Sequence, residues 1–135
     1  MSKVVLLVDD DADDRELFAE ALLQINEAVR SLFAKNGYEA LEVLLSPNSK
    51  LPDYIFLDLN MPLMGGKDCL KRIKEIPLIK DIPVIVLTTS KQPEDKEEMI
   101  KLGAWLYITK PDYFDKLVYL IRSVLSKNPD KVSLY

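Results

Sequence analysis

Four short groups of residues carry the chemistry available to this chain, and each directly follows an apolar run. Asp9-Asp10-Asp11 follows the first run, Asp58-Leu59-Asn60 a second, Thr88-Thr89-Ser90 a third and Thr109-Lys110-Pro111 a fourth. Each group alone has an ordinary explanation: Asp, Asn, Ser and Thr cap helices and turn chains, and lysine is most often solvated. Together they describe something more specific. Crowded carboxylates repel one another, and such a cluster is stable mainly when a hard cation neutralises it, so Asp9, Asp10 and Asp58 point to Mg²⁺ or a relative held by oxygen. Histidine is absent and Cys69 is the single cysteine, which removes Ser-His-Asp and Cys-His catalysis and any multi-cysteine metal site within one chain. A carboxylate, a divalent cation, a hydroxyl and a lysine are the parts of a phosphate-handling site. Three negative charges on Asp9, Asp10 and Asp58 would balance the cation and Lys110, leaving a site close to neutral. An acyl phosphate on Asp58 would add charge and acceptor oxygens that Thr88 and Lys110 can meet.

These groups share a site only if the chain brings their strands to one edge. Val4–Val8, Tyr54–Leu57, Val84–Leu87 and Trp105–Ile108 are continuous apolar runs of strand length, as expected for strands covered on both faces. Val29–Ala34 alternates and predicts a strand at or near an edge. Helical spacing predicts helices over 13–27, 38–45, 66–75, 93–102 and 112–126, punctuated by Gly and Pro, with Asp13 and Glu16 in capping-box register for the first. Five strands alternating with five helices predict a doubly wound α/β domain with a parallel sheet. In such sheets ligands bind beyond the carboxyl ends of the strands, where all four groups lie.

With 135 residues, 48% of them hydrophobic, the chain suffices for one buried core and not two. We expect one domain over 1–127 and a short polar tail over 128–135, with no room for an output domain. A net charge of −4 argues against a nucleic-acid partner. The N-terminus reads as neither signal peptide nor membrane span, and a lone cysteine suits a reducing compartment, so the expected location is cytoplasmic with no membrane partner.

The residues resemble the receiver domains of two-component response regulators, including the single-domain chemotaxis type. Asp9-Asp10 matches the acidic pair, Asp58 followed by Met61-Pro62 and Gly66 matches the phosphoacceptor and its loop, and Thr88 and Lys110-Pro111 match the later hydroxyl and lysine. The resemblance implies a flavodoxin-like sheet of order 2-1-3-4-5. It implies that Asp58 accepts the phosphoryl group, that Asp10 and Asp58 ligate Mg²⁺ through carboxylates, Asn60 through its backbone carbonyl, and Asp9 mostly through water. Lys110 would pair with phosphoryl oxygens, Lys110-Pro111 would be a cis peptide, and Thr88 with Tyr107 would form the switch. The implied donor is a sensor histidine kinase or histidine phosphotransfer protein. The implied readout is binding of a downstream protein, not identified by the sequence, to the face of the fourth helix, fifth strand and fifth helix. Such a receiver catalyses only its own phosphorylation and dephosphorylation.

Three local features carry separate expectations. Thr89 either shields the phosphoryl group from water or simply suits a strand end. Trp105, two residues from Tyr107, should share its face of the strand, either as part of a homodimer or partner surface or as cover for a monomer's edge. Asp112 stands where the resemblance leads one to expect an aromatic, and it suits an N-cap for the last helix. Rival readings weigh less. A haloacid-dehalogenase-type hydrolase needs a general acid two residues after its nucleophile, where this chain has Asn60. A nucleotide-binding module needs a glycine-rich loop where Asp9-Asp10-Asp11 stands. A degenerate receiver that only binds partners would not keep every chemical residue.

Overall fold

A computed structural model describes residues 3–25, 28–48 and 50–127. The elements alternate as β1 (Lys3–Val8), α1 (Ala12–Gln24), β2 (Val29–Ala34), α2 (Gly37–Leu45), β3 (Tyr54–Leu57), α3 (Gly66–Glu75), β4 (Val84–Thr88), α4 (Pro93–Lys101), β5 (Leu106–Thr109) and α5 (Phe114–Ser126). All strand pairs are parallel and the sheet order is β2-β1-β3-β4-β5. The half-exposed β2 lies at one edge, as its alternation predicts, and β1, β3 and β4 are buried almost throughout. The expected tail over 128–135 lies outside the described residues.

Because successive residues of a strand point to opposite faces, each apolar run feeds two cores. Leu6, Val8, Ile55, Leu57, Val84 and Val86 pack with α2, α3 and α4 through residues such as Leu44, Leu70, Ile73 and Met99. Val5, Leu7, Phe56, Ile85 and Leu87 pack with α1 and α5 through Phe18, Leu22, Ile121 and Val124. Phe18 meets Phe56 edge to face, with ring centroids 5.0 Å apart. This double burial covers the middle strands on both faces and leaves their ends open.

Several local expectations need correction. The cap of α1 is Asp11, whose side chain accepts from the Asp13 and Asp14 N–H groups, and not the Asp13/Glu16 box. The carboxylate sits one residue before the first helical turn, where the free N–H groups converge, while Asp13 is already inside it. That helix ends at Gln24 rather than 27. Asp112 is not the cap of α5: Tyr113 occupies that position without a side-chain bond, because the helix starts at Phe114, two residues later than expected. Trp105 precedes β5 and does not share Tyr107's side. It stacks on Tyr54 at 6.2 Å and packs with the α1/α5 core, whereas Tyr107 is buried in the other core. Strand alternation does not extend to Trp105, which lies in a bend before β5, two residues after Gly103, whose φ of 109° is open to glycine. The Lys110–Pro111 peptide is trans, the form that proline also favours by a small margin.

Candidate functional site

The site is built where β1, β3, β4 and β5 end. Asp9 follows β1 and hangs its N–H on the Ala34 carbonyl at 3.0 Å; Asp58 follows β3 and hangs its own on Val8 at 3.0 Å. Lys110 follows β5, its N–H donated to the Thr88 carbonyl at 2.7 Å. The ladder therefore carries each side chain one step past the sheet, toward the same opening. Asp9, Asp58 and Thr88 are buried, and Asp10, Asn60 and Thr89 are exposed. Ligand oxygens of Asp9, Asp10 and Asp58 can lie within 4.8 Å of one another.

Lys110 closes the cluster. Its ammonium donates to Asp9 Oδ2 at 2.8 Å, Asp14 Oδ2 at 2.6 Å and Asp58 Oδ2 at 3.2 Å. Burial opposes the Lys110 charge, but the hydrogen bonds to Asp14 and Asp9 and the charge of Asp58 outweigh it and raise its pKa. Burial likewise raises the Asp9 carboxyl, opposed by the bonds from Lys110 and the Asp11 N–H and reinforced by the Asp58 charge. The second Asp58 oxygen, Oδ1, accepts from the Leu59 N–H at 2.7 Å, so the two oxygens are distinct: one held by backbone, one facing the ammonium.

The loop after Asp58 is held by a close approach. Gly66 N–H donates to Leu59 O at 2.9 Å, and a Cβ at Gly66 would lie 2.2 Å from the Asp58 carbonyl oxygen. Leu63, within this loop, has φ of 67° and is exposed. On the other side, Thr88 Oγ1 accepts from the Ser90 N–H at 3.4 Å, Ser90 Oγ donates to Asp95 at 2.5 Å, and the Tyr107 hydroxyl donates to the Ser90 carbonyl at 3.1 Å. Tyr107 is thus already turned inward beneath the β4–α4 loop, and burial raises its phenol pKa.

The structure brings Asp9, Asp10, Asp58 and Lys110 together; Thr88 ends the neighbouring strand, with its carbonyl bonded to the Lys110 N–H and its hydroxyl to the Ser90 N–H, and Asn60 is exposed two residues beyond Asp58. Sequence reasoning missed Asp14 and Ser90. Asp14 lies in the first turn of α1, one helical turn beyond the acidic pair, so its reach to Lys110 depends on where Asp11 starts the helix. The expected neutral balance is corrected accordingly: Asp14 adds a fourth carboxylate to a cluster that one lysine and one divalent cation would otherwise match. The donor set fits Mg²⁺, being three clustered carboxylates with no nitrogen or sulfur competitor.

A family model described as the response regulator receiver domain matches residues 5–122. Response regulator Rcp1 of Synechocystis is 34% identical over 128 residues, covering 92% of this chain and 87% of that protein. The phosphate regulon transcriptional regulatory protein PhoB of Pseudomonas aeruginosa is 35% identical over 127 residues, 94% of this chain. The chain spans 53% of PhoB's length. Among solved structures, the phosphorylated cyanobacterial phytochrome response regulator RcpA superposes with a TM-score of 0.85 at 33% identity, over 92% of this chain and 91% of that one. The Mn²⁺-bound form of Rcp1 gives 0.83 at 33% identity, over 98% and 99%. No helix among the described residues is long and apolar enough to cross a membrane.

Proposed function

The chain belongs to the response regulator receiver domain family, and from that premise we propose that Asp58 is the phosphoacceptor of a two-component switch. The observation that carries this reading is the convergence of three carboxylates with the Lys110 ammonium 3.2 Å from Asp58 Oδ2. The proposed donor is a phosphohistidine on a sensor histidine kinase or histidine phosphotransfer protein. An Asp58 oxygen forms the new O–P bond as the N–P bond breaks; the imidazole leaves with the electron pair and takes up a proton. Lys110 pairs with phosphoryl oxygens as negative charge accumulates. Thr88, whose Oγ1 accepts from Ser90, keeps its hydroxyl proton for the same oxygens.

Asp9, Asp10 and Asp58, with the Asn60 carbonyl, would hold Mg²⁺, and the relative Rcp1, solved in a Mn²⁺-bound form, supports a divalent cation as ligand. Such a cation, when bound, shields the carboxylates from the incoming phosphate. The readout follows from Ser90. Its N–H bonds Thr88, its carbonyl bonds Tyr107 and its hydroxyl bonds Asp95, so a pull on Thr88 reaches α4 and the Tyr107 ring in one residue. A downstream protein that reads the α4–β5–α5 face then distinguishes the two states. The test is Asp58→Asn with radiolabelled acetyl phosphate and Mg²⁺. The variant should incorporate no label, and undiminished incorporation would refute the assignment.

A further inference from the structure

The four carboxylates around Lys110 and the cation trio do not act alike, and Asp14 differs from the other three. It lies outside the trio, on α1 and not at a strand end, and it makes the shortest contact with Lys110, 2.6 Å against 3.2 Å for Asp58. Its place is fixed by the helix cap, since the Asp14 N–H donates to Asp11 Oδ1 at 3.1 Å. The contact lies beside a small pocket of ≈ 70 Å³ whose apolar wall includes Phe18, Leu87 and Leu117, with Asp14 itself partly exposed on the other side. With Asp9 and Asp58 also bonded, all three ammonium donors are committed to carboxylates. Arg15, the neighbouring cation, donates to the Asp9 backbone carbonyl at 2.9 Å and pairs with none of these carboxylates among the described residues.

Resting on the reading of Asp58 as phosphoacceptor, we propose that Asp14 is a positioning residue that restrains phosphorylation: it draws the Lys110 ammonium toward α1 and away from Asp58, and adds a negative charge that a phosphoryl dianion must approach. Two contacts to one shared ammonium place the Asp14 and Asp58 carboxylate oxygens within about 6 Å of each other, a separation at which like charges in a partly buried site still repel strongly. The same charge helps the trio attract a divalent cation. Asp14 therefore has opposite effects on its two ligands, favouring the cation and opposing the phosphoryl group, and an effect on overall folding could not produce that pair of signs.

The test measures Asp58 labelling by acetyl phosphate in the full chain. The carboxylate forms an O–P bond and acetate departs with the electron pair, so no other reactant is needed. Asp14→Asn keeps an oxygen that can accept from Lys110 but removes the charge; Asp14→Ala removes both. With Mg²⁺ saturating for each protein and salt low, both variants should be labelled about tenfold faster than the unmodified chain, the equivalent of about 1.4 kcal/mol, and the gap should shrink in high salt. Calorimetric titration with Mg²⁺ alone should show severalfold weaker binding to Asp14→Asn. Equal or slower labelling of both variants would overturn the proposal, as would slower labelling of Asp14→Ala alone, which would make Asp14 an aid to Lys110. Unchanged Mg²⁺ affinity would overturn it too. If the unmodified chain takes no label at Asp58, the reading of function fails instead.

Discussion

Gly66→Ala places a methyl group against backbone that cannot yield. The new Cβ would lie 2.2 Å from the Asp58 carbonyl oxygen, 2.9 Å from Leu59 Cα and 3.0 Å from the Asp58 carbonyl carbon. Ordinary contact begins near 3.4 Å, so either α3 retreats or the Asp58 segment shifts, by about 1 Å in a core packed to crystal-like density. Overpacking of this kind costs about 2–3 kcal/mol. For a domain of this size that lowers Tm by about 7–11 °C. The displaced atoms belong to the proposed phosphoacceptor itself, and about 1 Å of misplacement can reduce a positioned reaction about a hundredfold. Labelling by acetyl phosphate at 20 °C, where the variant is still folded, should therefore fall by about 10- to 100-fold. Gly37→Ala is the comparison: its Cβ would lie 2.5 Å from Met64 Cγ, 2.6 Å from Sδ and 2.9 Å from Cβ, so Met64 must shift within the loop that follows Asp58, while Asp58 itself is not among those nearest atoms. That variant should also lose stability, and its labelling should fall by less than that of Gly66→Ala, whose clash is with Asp58 itself. A Gly66→Ala protein with Tm within 2 °C of the parent and labelling within about twofold would refute the close-approach reasoning.

Other outcomes follow from the same geometry. Mg²⁺ should raise Tm by an amount that grows with its concentration, and Asp10→Asn, at an exposed position, should abolish that rise with little change in metal-free Tm; an undiminished rise removes Asp10 from the cation site. Lys110→Ala should leave Asp9, Asp14 and Asp58 facing one another uncompensated, lowering metal-free Tm, with Mg²⁺ restoring part of the loss; equal Tm in both proteins would argue that the lysine contacts contribute nothing. Burial pushes the Cys69 thiol from 9.0 up to about 12. Because the folded value exceeds the unfolded one, this contribution to stability is complete below pH 9.0 and is lost progressively toward about pH 12. Cys69→Ala should flatten the alkaline fall in denaturant midpoint, and native Cys69 should resist thiol reagents at pH 8. Thr89→Ala should shorten the lifetime of the labelled protein; a lifetime equal to or longer than the parent's would make Thr89 a mere strand-end residue.

Much of this organisation was legible because it rests on alternation and on strand ends. Apolar runs such as Val84–Leu87 have no other stable place than the middle of a covered sheet, and parallel strands joined through helices put all their following residues at one edge. Asp9, Asp58, Thr88 and Lys110 were found by that logic. Asp14 was not, since its reach depends on which of Asp11 and Asp13 caps α1, a choice of two residues that periodicity does not make. Ser90 carries its role partly in backbone atoms, which every residue possesses and no spacing reveals. Trp105 was misplaced because its apolar character matched the run that follows it, although β5 itself begins only at Leu106.

The stacking of Trp105 on Tyr54 has a practical consequence for anyone studying this molecule in solution. Tyr54 begins β3 and Trp105 immediately precedes β5, so the chain's single indole sits at the amino-terminal edge of the sheet, with the full span of the strands between it and the acidic opening. Its emission should follow global denaturation faithfully and stay nearly silent when ions or acyl phosphates bind. Optical titrations of ligand occupancy will need a reporter installed at the far rim.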